Sequence, residues 1–133
     1  MLEKEAKMEE IDREIWIGKN RLYLGEDNIL YETLVGEQDE KTVLAIYEAS
    51  NRLTNTVEGK VNVLVDLNKA GQASSGARKK GQEMLEEKIF GKVALFGLHP
   101  VARVVASFFM GATKKKDMRF CKTRGEALAW LKE

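Results

Sequence analysis

Between Glu14 and Gly36 apolar and polar positions alternate, the period of a half-buried strand. Leu22 and Leu24 fall on one face, and Ile29, Tyr31 and Thr33 alternate with Leu30, Glu32 and Leu34. The turn-forming run Gly25-Glu26-Asp27-Asn28 separates the two runs and predicts an antiparallel hairpin or meander. The period then lengthens to that of a helix: Asp39 can cap it, and Val43, Leu44, Ile46, Tyr47 and Leu53 form its apolar stripe. The nearly continuous apolar run VNVLVDL, residues 61–67, predicts a strand covered on both faces.

Residues 67–76 read as a small-residue loop, an uncovered turn with outward-facing amides beside cationic side chains. A second helix is expected to start at Ser74 or Ser75 and to carry Met84, Leu85 and Ile89. KVALFG is the next strand, followed by a helix from Pro100 to Met110, a short strand MRFC and a final helix TRGEALAWLKE. In that last helix Thr123 and Glu126 have capping-box spacing, with Ala127, Leu128, Trp130 and Leu131 as the buried stripe. Strands alternating with helices predict an α/β fold with right-handed crossovers. The expected sheet is mixed and largely parallel, with about five strands, an N-terminal antiparallel hairpin and about four helices. Residues 1–14 are expected to be an N-terminal helix or tail, and residues 15–133 a single domain.

Composition narrows the class. A chain of 133 residues with 44% hydrophobic and 32% charged positions suits one soluble globular core. The longest apolar stretches, KVALFGL and VVASFFM, fall far short of the roughly 20 residues that span a bilayer. The acidic N-terminus lacks an apolar signal core, so a cytoplasmic location is expected. A single cysteine, Cys121, excludes an internal disulfide and a cysteine-based zinc cluster. No cofactor or metal is expected. The net charge of +1 conceals a split: residues 1–60 carry 8 basic and 14 acidic groups, and residues 61–133 carry 14 and 7. That asymmetry reads either as an acidic and a basic region able to orient an anionic partner, or as solvated helix faces of different charge.

The candidate chemistry gathers at strand ends. Ser74 and Ser75 fit a helix start, where a serine oxygen accepts a bond from a free amide; the same amides and helix dipole suit an anion or a phosphoserine. Gly71 and Gly76 would let backbone approach a ligand, and Arg78, Lys79 and Lys80 follow. The segment lacks the spacing of a phosphate-binding loop, so a nucleotide hydrolase is not supported. Asp66 ends the apolar strand, as a functional carboxylate or a brace for the following loop. His99, the only histidine, and Arg103 follow KVALFG, where a parallel sheet often opens a ligand crevice. Cys121 reads as structural. No carboxylate pair, metal-ligand cluster or Ser-His-Asp set appears, so an enzyme is not expected. Val104, Val105, Phe108 and Phe109, with Lys114, Lys115, Lys116 and Arg119, could make a peripheral membrane contact or an apolar-ligand site. Aromatics do not alternate with basic residues, so nucleic acid is not an expected partner.

VLVDL before a serine-containing loop and helix resembles STAS domains, and KVALFGLHPVARVVASFF followed by DMRFCKTRGEALAWLKE resembles the SpoIIAA-like family of STAS-related proteins. The likeness covers residues 15–133 and implies a four- or five-stranded sheet related to anti-sigma factor antagonists and to CRAL-TRIO lipid carriers. In the antagonists a D-S-S-G segment at a helix N-terminus carries the phosphorylated serine; here the segment is A-S-S-G, and Ser75 matches that serine. Ala73 replaces the acid, and the segment from Asp66 is one residue shorter. The resemblance implies a non-enzymatic regulatory protein recognising a protein partner or small anionic ligand under serine phosphorylation. Its working surface would comprise Asp66, Ser74, Ser75, Gly76, Arg78, His99 and Arg103. The alternative is a carrier or sensor of lipid or another apolar molecule, with a cavity between the 100–110 helix and the sheet. The opening antiparallel strands leave an edge for pairing with a second copy, a possible homodimer.

Overall fold

The alternating N-terminal segment forms three strands, β1 (Glu14–Ile17), β2 (Asn20–Leu24) and β3 (Leu30–Gln38), joined as an antiparallel meander. Asn28 takes the left-handed conformation that closes the second turn, and Asp27 braces it by accepting from the Ile29 amide at 3.1 Å. The computed structural model describes residues 13–97 and 117–133. Beyond the meander, β4 (Val61–Ala73), β5 (Phe90–Phe96) and β6 (Met118–Cys121) join in chain order, each parallel to the strand before it. The sheet therefore has six strands ordered β1-β2-β3-β4-β5-β6, mixed and largely parallel, with the expected antiparallel start.

Three helices are found among the described residues: α1 (Glu40–Thr54), α2 (Ser75–Leu85) and α3 (Arg124–Leu131). The helix expected over residues 100–110 and residues 1–12 of the expected N-terminal helix or tail lie outside the described residues. None of the described helices is long and apolar enough to cross a membrane.

Burial on both faces explains the unbroken apolar run of β4. Val63, Val65 and Leu67 join Leu22, Leu30, Val93 and Leu95 beneath α1 and α2, packing on Ile46, Ala49 and Leu53. Leu64 turns the other way, joining Ala94, Phe96 and Cys121 against Ala127 and Leu131 of α3. The α3 start carries the foreseen cap: Thr123 Oγ1 accepts from the Glu126 amide at 3.1 Å, and the Glu126 carboxylate accepts from the Lys122 amide at 3.1 Å.

Three local expectations are corrected. Leu44 is 44% exposed, because α1 turns Ile46, Ala49, Ser50 and Leu53 inward instead. Ile89 lies beyond the end of α2, although it packs on the same core. Most important, residues 67–73 are not an uncovered turn: β4 continues to Ala73, with its backbone paired to β3 from Val35↔Lys69 to Gln38↔Ala73. Two bulges, each giving β4 one residue more than β3, break its alternation and disguise the strand in the sequence. Gly71 permits the close approach here, since a Cβ at that position would stand 3.0 Å from the Gly36 carbonyl carbon.

The irregular ladder needs extra hydrogen bonds, and a buried amide pair supplies them. Asn20 Nδ2 donates to Gln38 Oε1 at 3.0 Å, Gln38 Nε2 donates back to Asn20 Oδ1 at 3.0 Å, and the Val35 amide donates to the same Asn20 oxygen at 2.8 Å. Gln38 Nε2 also reaches the carbonyls of Val35 and Gly36. Side-chain amides thus take over where bulging removes regular partners.

Candidate functional site

Parallel pairing of β3 and β4 sets the starts of α1 and α2 side by side at one end of the sheet. The Ser74 amide donates to the Gln38 carbonyl at 3.1 Å, tying the two strand ends together. Each helix begins with its own cap: Asp39 Oδ1 accepts from the Thr42 amide at 2.7 Å, and Ser74 Oγ accepts from the Ala77 amide at 3.1 Å. A surface depression lined by Glu37, Gln38, Asp39, Gln72, Ala73 and Ser74 lies between them.

The two serines therefore differ. Ser74 is the N-cap, with its oxygen committed to the helix, a bond of about 1 kcal/mol in such positions. Ser75 is the first residue of α2 and is exposed. Around them the charges do not form the simple cationic cradle expected from sequence. Arg78 folds back, donating from Nη1 to the Ala73 carbonyl at 2.6 Å, and Lys80 pairs with Glu83 at 3.6 Å. A Cβ on Gly76 would stand 2.9 Å from Glu40 Oε2, so an α1 carboxylate, rather than a ligand, occupies the space beside that glycine. The Asp39 carboxyl is held below its usual range by hydrogen bonds from Thr42. Glu37, Asp39 and Glu40 were missing from the candidate set; the order strand–cap–strand–cap was the signal that two helix starts would be neighbours.

Of the other candidates, Asp66 lies on β4 between Thr33 and Phe96, and by strand alternation faces away from Val65 and α2. Its Oδ1 accepts from both the amide and the side-chain nitrogen of Asn68, at 3.0 and 3.1 Å. Asp66 thus braces the first bulge rather than joining the serines. His99 and Arg103 lie outside the described residues, as do Val104, Val105, Phe108, Phe109 and Lys114–Lys116. Cys121 is buried against α3, and burial pushes its thiol pKa up, which disfavours the reactive thiolate. Among the described residues no group of acidic, histidine or cysteine side chains could hold a metal ion.

A second feature lies under α2. There an apolar cavity of about 80 Å³ opens between the sheet and the two helices, with Leu34, Val43, Val65, Leu67, Met84 and Phe90 on its wall. It exists because Ala70, Gly71 and Ala73 of β4 face Ala77 and Gly81 of α2, where larger side chains would fill the gap. Into it projects Glu32, 7% exposed, with no hydrogen-bond or ion-pair partner among the described residues. Burial alone pushes its carboxyl up to about 7. This residue also escaped the candidate set, although its alternation with Leu30 and Leu34 placed a charge on an apolar face.

Among the described residues, a six-stranded mixed sheet with two helices on one face and α3 on the other gives the chain a SpoIIAA-like α/β fold. A crystal structure of an uncharacterized protein from the DUF3478 family of Shewanella loihica PV-4, with a SpoIIAA-like fold, superposes at a TM-score of 0.62. It is 16% identical, with 84% of this chain and 91% of that chain covered. The anti-sigma factor antagonist SpoIIAA in its unphosphorylated form gives a TM-score of 0.56 at 17% identity, covering 85% and 97%. Residues 23–133 match the family described as Domain of unknown function (DUF7793), and the chain belongs to that family. A search of curated proteins finds no match.

Proposed function

We propose that this chain is a non-enzymatic regulatory module that binds a protein partner through the surface where α1 and α2 begin, with Ser75 as the residue that switches binding. The observation that carries this reading is the division of labour between the serines: Ser74 caps α2, leaving Ser75 exposed and free of that duty. The SpoIIAA-type fold supports the regulatory class.

The local charge supports a protein partner over a small anion. Glu37, Asp39 and Glu40 border the helix starts, while Arg78 is drawn back onto the end of β4. A phosphoryl group on Ser75 would add about −1.5 to −2 charges beside these acids, gaining some favour from the helix dipole. The surface would become markedly more acidic with little change in the fold. Partner affinity would then change through charge.

Affinity capture from extract with the unmodified chain, Ser75→Ala and Ser75→Asp tests this directly. The expected result is a partner retained by the first two and lost by Ser75→Asp. Identical partner sets for all three, with the folded state verified by circular dichroism, would overturn the reading.

A further inference from the structure

We infer that the cavity beneath α2 is a binding site for a small apolar amine, whose nitrogen is held by Glu32. This goes beyond the partner-binding reading and does not depend on it.

Among the described residues the wall is almost wholly apolar, and Glu32 is the sole ionisable group on it. Its few other polar groups are already engaged: Ser50 Oγ donates to the Ile46 carbonyl at 2.8 Å, and the Gln38 amide is committed to Asn20 and the β3 backbone. Among the described residues no donor remains there for the carboxylate. A buried acid without a donor is costly, and it is relieved either by taking up a proton or by receiving a charged donor. An ammonium group does the second, giving a charge-assisted hydrogen bond in a largely apolar setting. An anionic head group would meet repulsion from Glu32, with no cation among the described wall residues to offset it.

Size limits the guest. An apolar cavity of about 150 Å³ accommodates benzene. The space here, about 80 Å³, is roughly half that, which suits an amine of about four non-hydrogen atoms. Position strengthens the case, because Glu32 lies opposite Val65 and Leu22 in the sheet, so a short alkyl chain beside it would touch apolar side chains.

The test is a titration of the full chain with n-propylamine at pH 7.5, followed by heteronuclear NMR, with n-propanol and propionate as matched controls. Saturable shifts at Val65, Leu67, Ala77 and Met84 are expected, with an affinity near the millimolar range that so small a ligand allows. Propanol should bind more weakly and propionate not at all. Glu32→Gln, which keeps the shape and removes the charge, should weaken propylamine by about tenfold. Ala77→Leu, which fills the space, should abolish saturation while the spectrum stays dispersed. Unsaturable shifts, equal binding of propanol, or an unchanged affinity in Glu32→Gln would each overturn the proposal. The Glu32→Gln result stands even if Ala77→Leu disturbs folding.

Discussion

The two faces of the sheet solve the same burial problem in different ways. Towards α3, Leu64, Ala94 and Phe96 meet Ala127 and Leu131, and Asn62 fixes the helix end by donating to the Leu131 carbonyl at 3.0 Å. Towards α1 and α2, the same strands present large residues at one end and small ones at the other, leaving the cavity with its acid. Close packing contributes stability; the incompletely filled side gives some of that up. The difference lies in β4, whose bulged half carries Ala70, Gly71 and Ala73 where its regular half carries Val63 and Val65.

Truncation on one face and enlargement on the other should separate them most strongly. Leu64→Ala, at a fully buried position against α3, should cost about 3 kcal/mol in urea denaturation. Ala77→Val, which adds methyl groups towards the void, should cost less than about 1 kcal/mol. An Ala77→Val cost as large as that of Leu64→Ala would mean that no space lies beneath α2. The next effect is a pH dependence. Glu32 is raised from 4.5 to about 7 in the folded state, so the native chain holds a proton that the unfolded chain releases. Its contribution is fully present below the unfolded value and is lost as pH rises through 7. Stability should fall by about 2 kcal/mol between pH 5 and pH 8, and Glu32→Gln should remove that slope. The smallest effect concerns the serines. Ser74→Ala should lose about 1 kcal/mol, while Ser75→Ala should remain within about 0.5 kcal/mol of the parent chain. Thermal melts of the pair would measure this division independently of any partner.

Much of the fold was legible because the chain states it locally. Asp39, Ser74 and Thr123 each cap a helix where capping chemistry precedes helical spacing, and the two-sided apolar run of β4 announced a strand in the middle of a parallel sheet. The end of β4 was illegible for a physical reason. Bulges abolish the two-residue period, and the outward-turned Asn68, Lys69 and Gln72 flank Ala70 and Gly71, so LNKAGQA has the composition of a loop. The serine site was half readable: spacing located the helix start, but the neighbouring acids come from the end of β3 and the start of α1, distant in sequence and brought close only by strand pairing. Glu32 shows the opposite kind of miss. Its place on the Leu30 and Leu34 face was visible, but charged residues are usually found at the solvent end of a pattern, and only the packed helices make its isolation evident.

The bulges also make chain length a rotational setting. Residues after Leu67 face as they do because β4 carries two more residues than its partner over this stretch. Deleting one residue between Asn68 and Gln72 would turn the remainder of the strand over, exchanging inward small side chains for outward polar ones. The start of α2 would be re-aimed with it, carrying both serines away from Asp39. A single missing codon in this stretch would therefore do more than any substitution within it, altering the cavity and the exposed helix start together.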